Sequence, residues 1–114
     1  MDNNTGFLFA NANHALICSG PLWEEMLLYN IREEDQDRLL ATFTAISGKA
    51  ISPTDIINQL SGGQKVILLA CLALYSPASR LHFVDLKHSL DADKYAHTLQ
   101  LLQDSGKQLH FEES

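Results

Sequence analysis

The stretch that decides the fold is Leu60-Ser61-Gly62-Gly63-Gln64-Lys65-Val66. Ser61 stands at the position of a helix N-cap, and Gly62 and Gly63 follow where the first helical turn begins. The first N–H groups of a helix have no acceptor inside it and carry the positive end of the helix dipole. Small residues at these positions let an anion approach the backbone closely. The stretch therefore predicts a helix N-terminus suited to a phosphate or a carboxylate.

The chain after this stretch predicts a helix followed by a βαβ unit. The helix is apolar on nearly every side over Val66–Tyr75, which is typical of a helix buried within a domain. Leu81–Val84 is a short apolar strand that ends in Asp85. A predicted helix over Leu90–Ser105 leads to a last strand over Lys107–Glu112. Strand, helix and strand over about 30 residues indicate two parallel strands joined by a right-handed crossover.

The chain before the stretch predicts a hairpin and short helices. Two apolar runs, Gly6–Ala10 and Ala15–Cys18, are separated by Asn11–His14, and asparagine tolerates the positive φ of a tight turn. The apolar spacing that follows predicts helices over 21–30, 35–46 and 52–58.

Together these elements predict a helix-rich α/β fold with a small mixed sheet, formed by the N-terminal hairpin and the C-terminal βαβ strands. We expect a single domain over residues 1–114, with a flexible tail at 1–5, a hairpin and helical region at 6–59, and the glycine-containing helix with the βαβ unit at 60–114. We also expect an open sheet edge at Leu81–Val84 or Gln108–Phe111. Because open edges pair with other chains, the chain is predicted to form an oligomer or a partner complex.

The composition is that of an acidic, cytoplasmic protein. The net charge is −6 and there is no run of basic residues, which argues against binding to nucleic acid or to an anionic membrane. The sequence shows no secretory signal, and its longest apolar run is shorter than the roughly 20 residues that a membrane span needs. Cys18 and Cys71 lie in apolar surroundings and are expected to be buried free thiols.

Three motifs in order resemble those of ABC-type ATPases, over roughly residues 58–112. Leu60–Gln64 is similar to the LSGGQ signature, Asp85 stands at the Walker B position, and Ser89-Leu90-Asp91 resembles the D-loop. In this family the signature of one subunit contacts the γ-phosphate of ATP that the other subunit holds. The resemblance implies that the residues that bind the ATP cofactor are Ser61, Gly62, Gly63, Gln64, Asp85 and Asp91.

Three parts of the family's hydrolytic machinery are absent from the sequence. No Walker A loop, G-x-x-x-x-G-K-[ST], occurs, and Ser47–Ala50 only imitates one because the required earlier glycine falls at Phe43. Leu86 replaces the catalytic glutamate, and the switch histidine would fall near Ser114. His110 is close to that position in sequence but lies within the predicted last strand. No catalytic residue is assigned, and we do not expect the chain to hydrolyse ATP alone.

Two functions remain open at this point. In the first, the chain is an ABC ATPase-like accessory or regulatory protein whose signature completes the ATP site of a partner, so that Mg-ATP is bound only with a partner that supplies Walker A. In the second, it is a non-catalytic interaction domain without nucleotide, and the signature is only a helix cap. A metal site or acid–base chemistry is a weaker interpretation because no recognised ligand spacing occurs; apart from Asp85 at the Walker B position, its candidates are His82, His88, His110, Asp91 and Asp93.

Overall fold

The computed structural model describes residues 6–14 and 20–114. Within these residues the chain forms three strands, which are β1 Phe7–Asn11, β2 Arg80–Val84 and β3 Gln108–Glu112. It also forms four α-helices, which are α1 Leu22–Leu28, α2 Glu33–Ser47, α3 Gly62–Tyr75 and α4 Ala92–Asp104. Short 3-10 segments occur at Ala12–His14, Ile57–Gln59 and Lys87–Ser89. The predicted helix-rich α/β fold with a small sheet is confirmed.

The sheet has the order β1-β2-β3, and both described pairings are parallel. The predicted βαβ unit is therefore present as β2, α4 and β3. Because β1 pairs with β2, the expected open edge at Leu81–Val84 is wrong: β2 is the central strand, and Gln108–Phe111 lies on an edge. The second run of the predicted hairpin, Ala15–Cys18, lies outside the described residues, and the described sheet is parallel rather than mixed.

Helix α3 is the centre of the packing. All residues from Val66 to Ala73 are buried, which agrees with the apolar character of this helix on every side. One face contributes Val66, Leu69 and Ala73 to a cluster with the sheet, and another contributes Leu68 and Leu72 to a cluster with α1 and α2. The helix thus lies between two halves of the core, and its N-terminal turn is its most exposed part.

The thiol of Cys71 is buried within α3. It is a free cysteine, as the sequence predicts, and burial raises the pKa of the thiol to about 12. Cys18 lies outside the described residues.

The segment before α3 supports α1 instead of forming the predicted helix over 52–58. Leu22 N–H donates to the carbonyl of Asp55 and Trp23 N–H donates to the carbonyl of Pro53, both at 2.9 Å. These bonds satisfy first-turn amides of α1 that have no acceptor within the helix. Only Ile57–Gln59 is helical in this region, as a 3-10 segment.

The described residues contain no membrane-spanning helix. None of the helices in residues 6–14 and 20–114 has both the length and the apolar character that crossing a bilayer requires.

Candidate functional site

The first turn of α3 carries the predicted anion site, and its cap is fully formed. Ser61 has extended backbone angles, and its Oγ accepts a hydrogen bond of 3.2 Å from the N–H of Gln64. The side chain of Gln64 reaches back, and its Oε1 accepts a bond of 2.9 Å from the N–H of Ser61. These reciprocal bonds form a capping box. The predicted cap at Ser61 is confirmed, and the Ser-x-x-Gln spacing was a signal for the box that the sequence interpretation did not use.

The two glycines of this turn are not required by the fold. A Cβ placed on Gly62 or Gly63 would have no atom within 4 Å in the surrounding structure. The positive-φ glycines of the described chain are Gly48 and Gly106, so neither glycine of the turn is needed for a left-handed conformation. Glycine in the middle of a helix costs roughly 0.5–1 kcal/mol relative to alanine, and this is the upper bound for these two first-turn positions. The turn therefore gives up stability and leaves open space where two side chains would otherwise lie.

The charge around this turn also favours an anion. The first turn of α3 has no acidic side chain, whereas the first turns of α1, α2 and α4 each carry at least one. Acidic side chains at a helix N-terminus offset the positive end of the dipole. Among the four described α-helices, α3 alone leaves that end without an acid.

Asp85 lies at the carboxyl end of β2 and is held by several donors. It has a φ of 59°, a conformation that aspartate tolerates better than most residues, and only 5% of its surface is exposed. Asn13 Nδ2 donates to Oδ2 at 2.7 Å, and Ser114 N–H donates to Oδ1 at 2.7 Å. The Ser114 hydroxyl lies 3.0 Å from Oδ1 and 2.8 Å from Oδ2. The Ser114 amide, with further bonds from Asn13 and the Ser114 hydroxyl, lowers the pKa of Asp85 to about 2.

The partners of Asp85 could not be identified from the sequence. Asn13 follows β1, and Ser114 follows β3. Because the three strands are parallel, both residues lie at the same end of the sheet as Asp85, which follows β2. The sequence analysis placed Asn13 in the turn of a hairpin and named no pairing between β1 and β2 that would bring it to Asp85. The parallel pairing of β1 with β2 brings Asn13 to Asp85.

Asp91 acts as the N-cap of α4. Its Oδ1 accepts a bond of 2.9 Å from the N–H of Lys94, and its Oδ2 lies 3.1 Å from Lys94 Nζ. The bonds from the Lys94 amide and ammonium lower the pKa of Asp91. In the described part of the chain, no hydrogen bond or ion pair joins the first turn of α3 to Asp85 or Asp91. The role of these two aspartates in cofactor binding stays a prediction.

The positions that imitate catalytic parts have structural roles. Leu86, which the sequence resemblance aligns with a catalytic glutamate, is fully buried and belongs to the same core cluster as Leu81 and Phe83. Gly48, in the segment that imitates Walker A, has a φ of 78° and ends α2 as a left-handed cap. Each of these positions contributes to packing or helix termination.

The candidate histidines fall in two places. His82 and His110 are neighbours on β2 and β3 with ring centroids 4.5 Å apart, and His82 Nε2 lies 3.0 Å from Glu112 Oε1. His88 lies instead near Asp85 and Glu113. His110 is within a strand, as predicted.

Comparison with known proteins identifies the fold. No protein-family model and no curated protein sequence matches the chain. Among solved structures, the chain is similar to a protein from Pyrococcus furiosus described as "Putative ABC transporter (ATP-binding protein)", with a TM-score of 0.73 and 12% sequence identity. The match covers 98% of this chain and 57% of the other, so the chain spans little more than half the length of that protein. The chain has an ABC ATPase-like fold.

Proposed function

We propose that this chain is an accessory or regulatory protein without ATPase activity of its own, and that the first turn of α3 contacts the γ-phosphate of ATP held by a partner ATPase of the ABC type. The observation that carries this proposal is the pair Gly62 and Gly63. They lie at a helix N-terminus that reaches the surface, and no neighbouring atom of the fold excludes a side chain there. Close approach of a ligand to the backbone gives a reason for glycine at both positions.

The donors of this turn suit a phosphate. The amides of Gly62 and Gly63 belong to the first turn, whose N–H groups lack intrahelical acceptors. The Ser61 oxygen accepts from Gln64 N–H, and its own hydroxyl hydrogen is left to donate. Bonds from such donors to an ionised phosphate are shorter and roughly twice as strong as bonds between neutral groups. Ser61, Gly62 and Gly63 would therefore act together on one phosphate group.

A partner is part of the proposal because the chain does not carry the remaining parts of an ATP site. The sequence has no Walker A loop, and the residue after Asp85 is the buried Leu86. The structural relative is described as an ATP-binding protein, and this chain matches 57% of its length. ATP and Mg²⁺ would be held by the Walker A loop of the partner, with Asp85 and Asp91 as predicted further contributors from this chain.

The test is an ATPase assay with purified candidate partners of the ABC type, with and without this chain. We expect the chain to change the rate of ATP hydrolysis by the partner, and Ser61→Arg to remove this effect because it fills the space above the turn. Gln103→Arg is the matched control, since it adds the same side chain at an exposed position of α4. A partner that binds the chain but hydrolyses ATP equally fast with the wild type and with Ser61→Arg would refute the proposal.

The complete capping box favours a second candidate function, an interaction domain without nucleotide. The reciprocal bonds between Ser61 and Gln64 give these two residues a structural role that needs no ligand. In that case Ser61→Ala would cost about 1 kcal/mol of stability and no activity. Co-elution of the partner that does not depend on Mg-ATP, and that survives Ser61→Arg, would favour this alternative. The box does not explain Gly62 and Gly63, which is why the first proposal is preferred.

A further inference from the structure

A group of three potential metal ligands lies at the C-terminal ends of the strands, apart from the first turn of α3. Asp85, His88 and Glu113 each offer one ligand atom, and these atoms lie within 4.8 Å of one another. His88 Nδ1 is 3.1 Å from Glu113 Oε1 and 3.7 Å from Asp85 Oδ1. The residues come from three places in the chain: the end of β2, the 3-10 segment Lys87–Ser89, and the residue after β3.

The spacing of these atoms fits a tetrahedral metal ion. Nitrogen and oxygen ligands lie about 2.0–2.2 Å from Zn²⁺, so two ligands of a tetrahedral site are about 3.3–3.6 Å apart. The two distances from His88 Nδ1, 3.1 Å and 3.7 Å, lie on either side of this range. The third separation, between the Asp85 and Glu113 oxygens, is within 4.8 Å, so the more exposed Glu113 side chain would move toward Asp85 to place all three atoms around one ion.

The carboxylate of Asp85 is held in position by several neighbouring donors, and that of Glu113 by one long hydrogen bond. A carboxylate has about four acceptor positions. Around Asp85, the donors are the Asn13 amide, the Ser114 amide and the single hydroxyl hydrogen of Ser114, which serves only one oxygen at a time. The remaining acceptor position of Asp85 faces His88, and a cation bound between the two would take it. On Glu113, the N–H of Lys87 donates to Oε2 at 3.4 Å, while Oε1 faces His88. Such supporting bonds orient metal ligands.

The imidazole nitrogen distinguishes this group from a purely acidic cluster. Mg²⁺ and Ca²⁺ are bound by oxygen ligands, whereas Zn²⁺ accepts histidine together with carboxylates. The side chain of His88 is 61% exposed, so an ion has access and room remains for a water molecule as a fourth ligand. We propose that Asp85, His88 and Glu113 bind a divalent transition-metal ion, for which Zn²⁺ is the best match, in the absence of nucleotide.

The test is calorimetric titration of the untagged, metal-free protein with ZnCl₂, with MgCl₂ in a parallel titration. We expect one Zn²⁺ per chain, at least about tenfold weaker binding for His88→Ala and for Glu113→Gln, and no comparable binding of Mg²⁺. His97→Ala and His110→Ala are the matched controls, since each removes a histidine outside the group. Both should bind Zn²⁺ like the wild type.

A spectroscopic measurement separates a metal site from a simple ion pair between His88 and the carboxylates. Co²⁺ added to the metal-free protein should give visible absorption bands of a low-coordinate site, and these should be lost in His88→Ala. The proposal is refuted if no saturable Zn²⁺ binding occurs, if His88→Ala binds Zn²⁺ like the wild type, or if Mg²⁺ binds equally well. Loss of stability in His88→Ala without Zn²⁺ binding by the wild type would show an ion pair only. None of these outcomes depends on a partner ATPase.

Discussion

Replacement of Gly63 by alanine is expected to stabilise the protein while weakening its action on a partner. No atom lies within 4 Å of the added Cβ, and the residue does not have a positive φ. Alanine should therefore gain up to about 1 kcal/mol, the upper bound set by glycine in a helix interior. The entropy of unfolding is about 2.1 cal/mol/K per residue, which for 114 residues is about 0.24 kcal/mol/K. The midpoint of thermal unfolding should rise by up to about 4 °C.

The measurement is thermal unfolding followed by circular dichroism, with Gly106→Ala as the matched control. A Cβ on Gly106 would also meet no atom within 4 Å, but the φ of this residue is 78°, so alanine there should lower stability by about 1 kcal/mol. The opposite signs would show that backbone conformation, and not space, decides the effect. A lower midpoint for Gly63→Ala would mean that the fold itself requires this glycine, so that no ligand is needed to explain it. In the ATPase assay, Gly63→Ala should reduce the effect on the partner although the variant is more stable.

Three further predictions concern the core and the ends of its elements. Leu86→Glu should lower the free energy of unfolding in urea by more than about 3 kcal/mol, because it buries a carboxylate. Leu86→Met should lower it by less than about 1.5 kcal/mol. A stable Leu86→Glu variant that gains ATPase activity would contradict this prediction. In the Cys18→Ser variant, Cys71 should react with a thiol reagent at pH 8 only after denaturation, because burial raises the pKa of its thiol to about 12. Fast labelling of the folded protein would show instead that the thiol is accessible. Lys107→Met should lower the free energy of unfolding by about 1–2 kcal/mol, because Lys107 Nζ donates to the carbonyls of Ser76 and Ala78. Equal stability of this variant and the wild type would show that these bonds add nothing.

The helices and strands near the glycine-containing stretch were predictable because their signals are local. The cap at Ser61, the apolar run from Val66 and the strand that ends in Asp85 are each visible within a few residues of sequence. The structure confirms these elements within one or two residues at their ends. The segment 52–58 was predicted less well, because its backbone hydrogen bonds go to α1 rather than to itself.

The candidate site was predictable only in part. The residues of the first turn of α3 are consecutive, so one stretch of sequence names them all. The surroundings of Asp85 come from residues up to 72 positions away, and no local pattern connects Asn13 or Ser114 to it. Likewise, the sequence shows that Leu86 is not a glutamate, but only the structure shows that its side chain lies within the core.

By itself, the sequence determined that a capped helix begins at Ser61, that this helix is buried, and that a βαβ unit follows it. Capping bonds form between residues three apart, and the burial of a helix follows from its own apolar composition. Only the tertiary structure decided that β1 pairs in parallel with β2, which makes β2 the central strand and brings Asn13, Asp85, His88 and Glu113 together. The physical reason is that parallel pairing joins strands that are far apart in the chain. The apolar side chains of β1 and β2 pack together against α3, and this packing selects which strands pair.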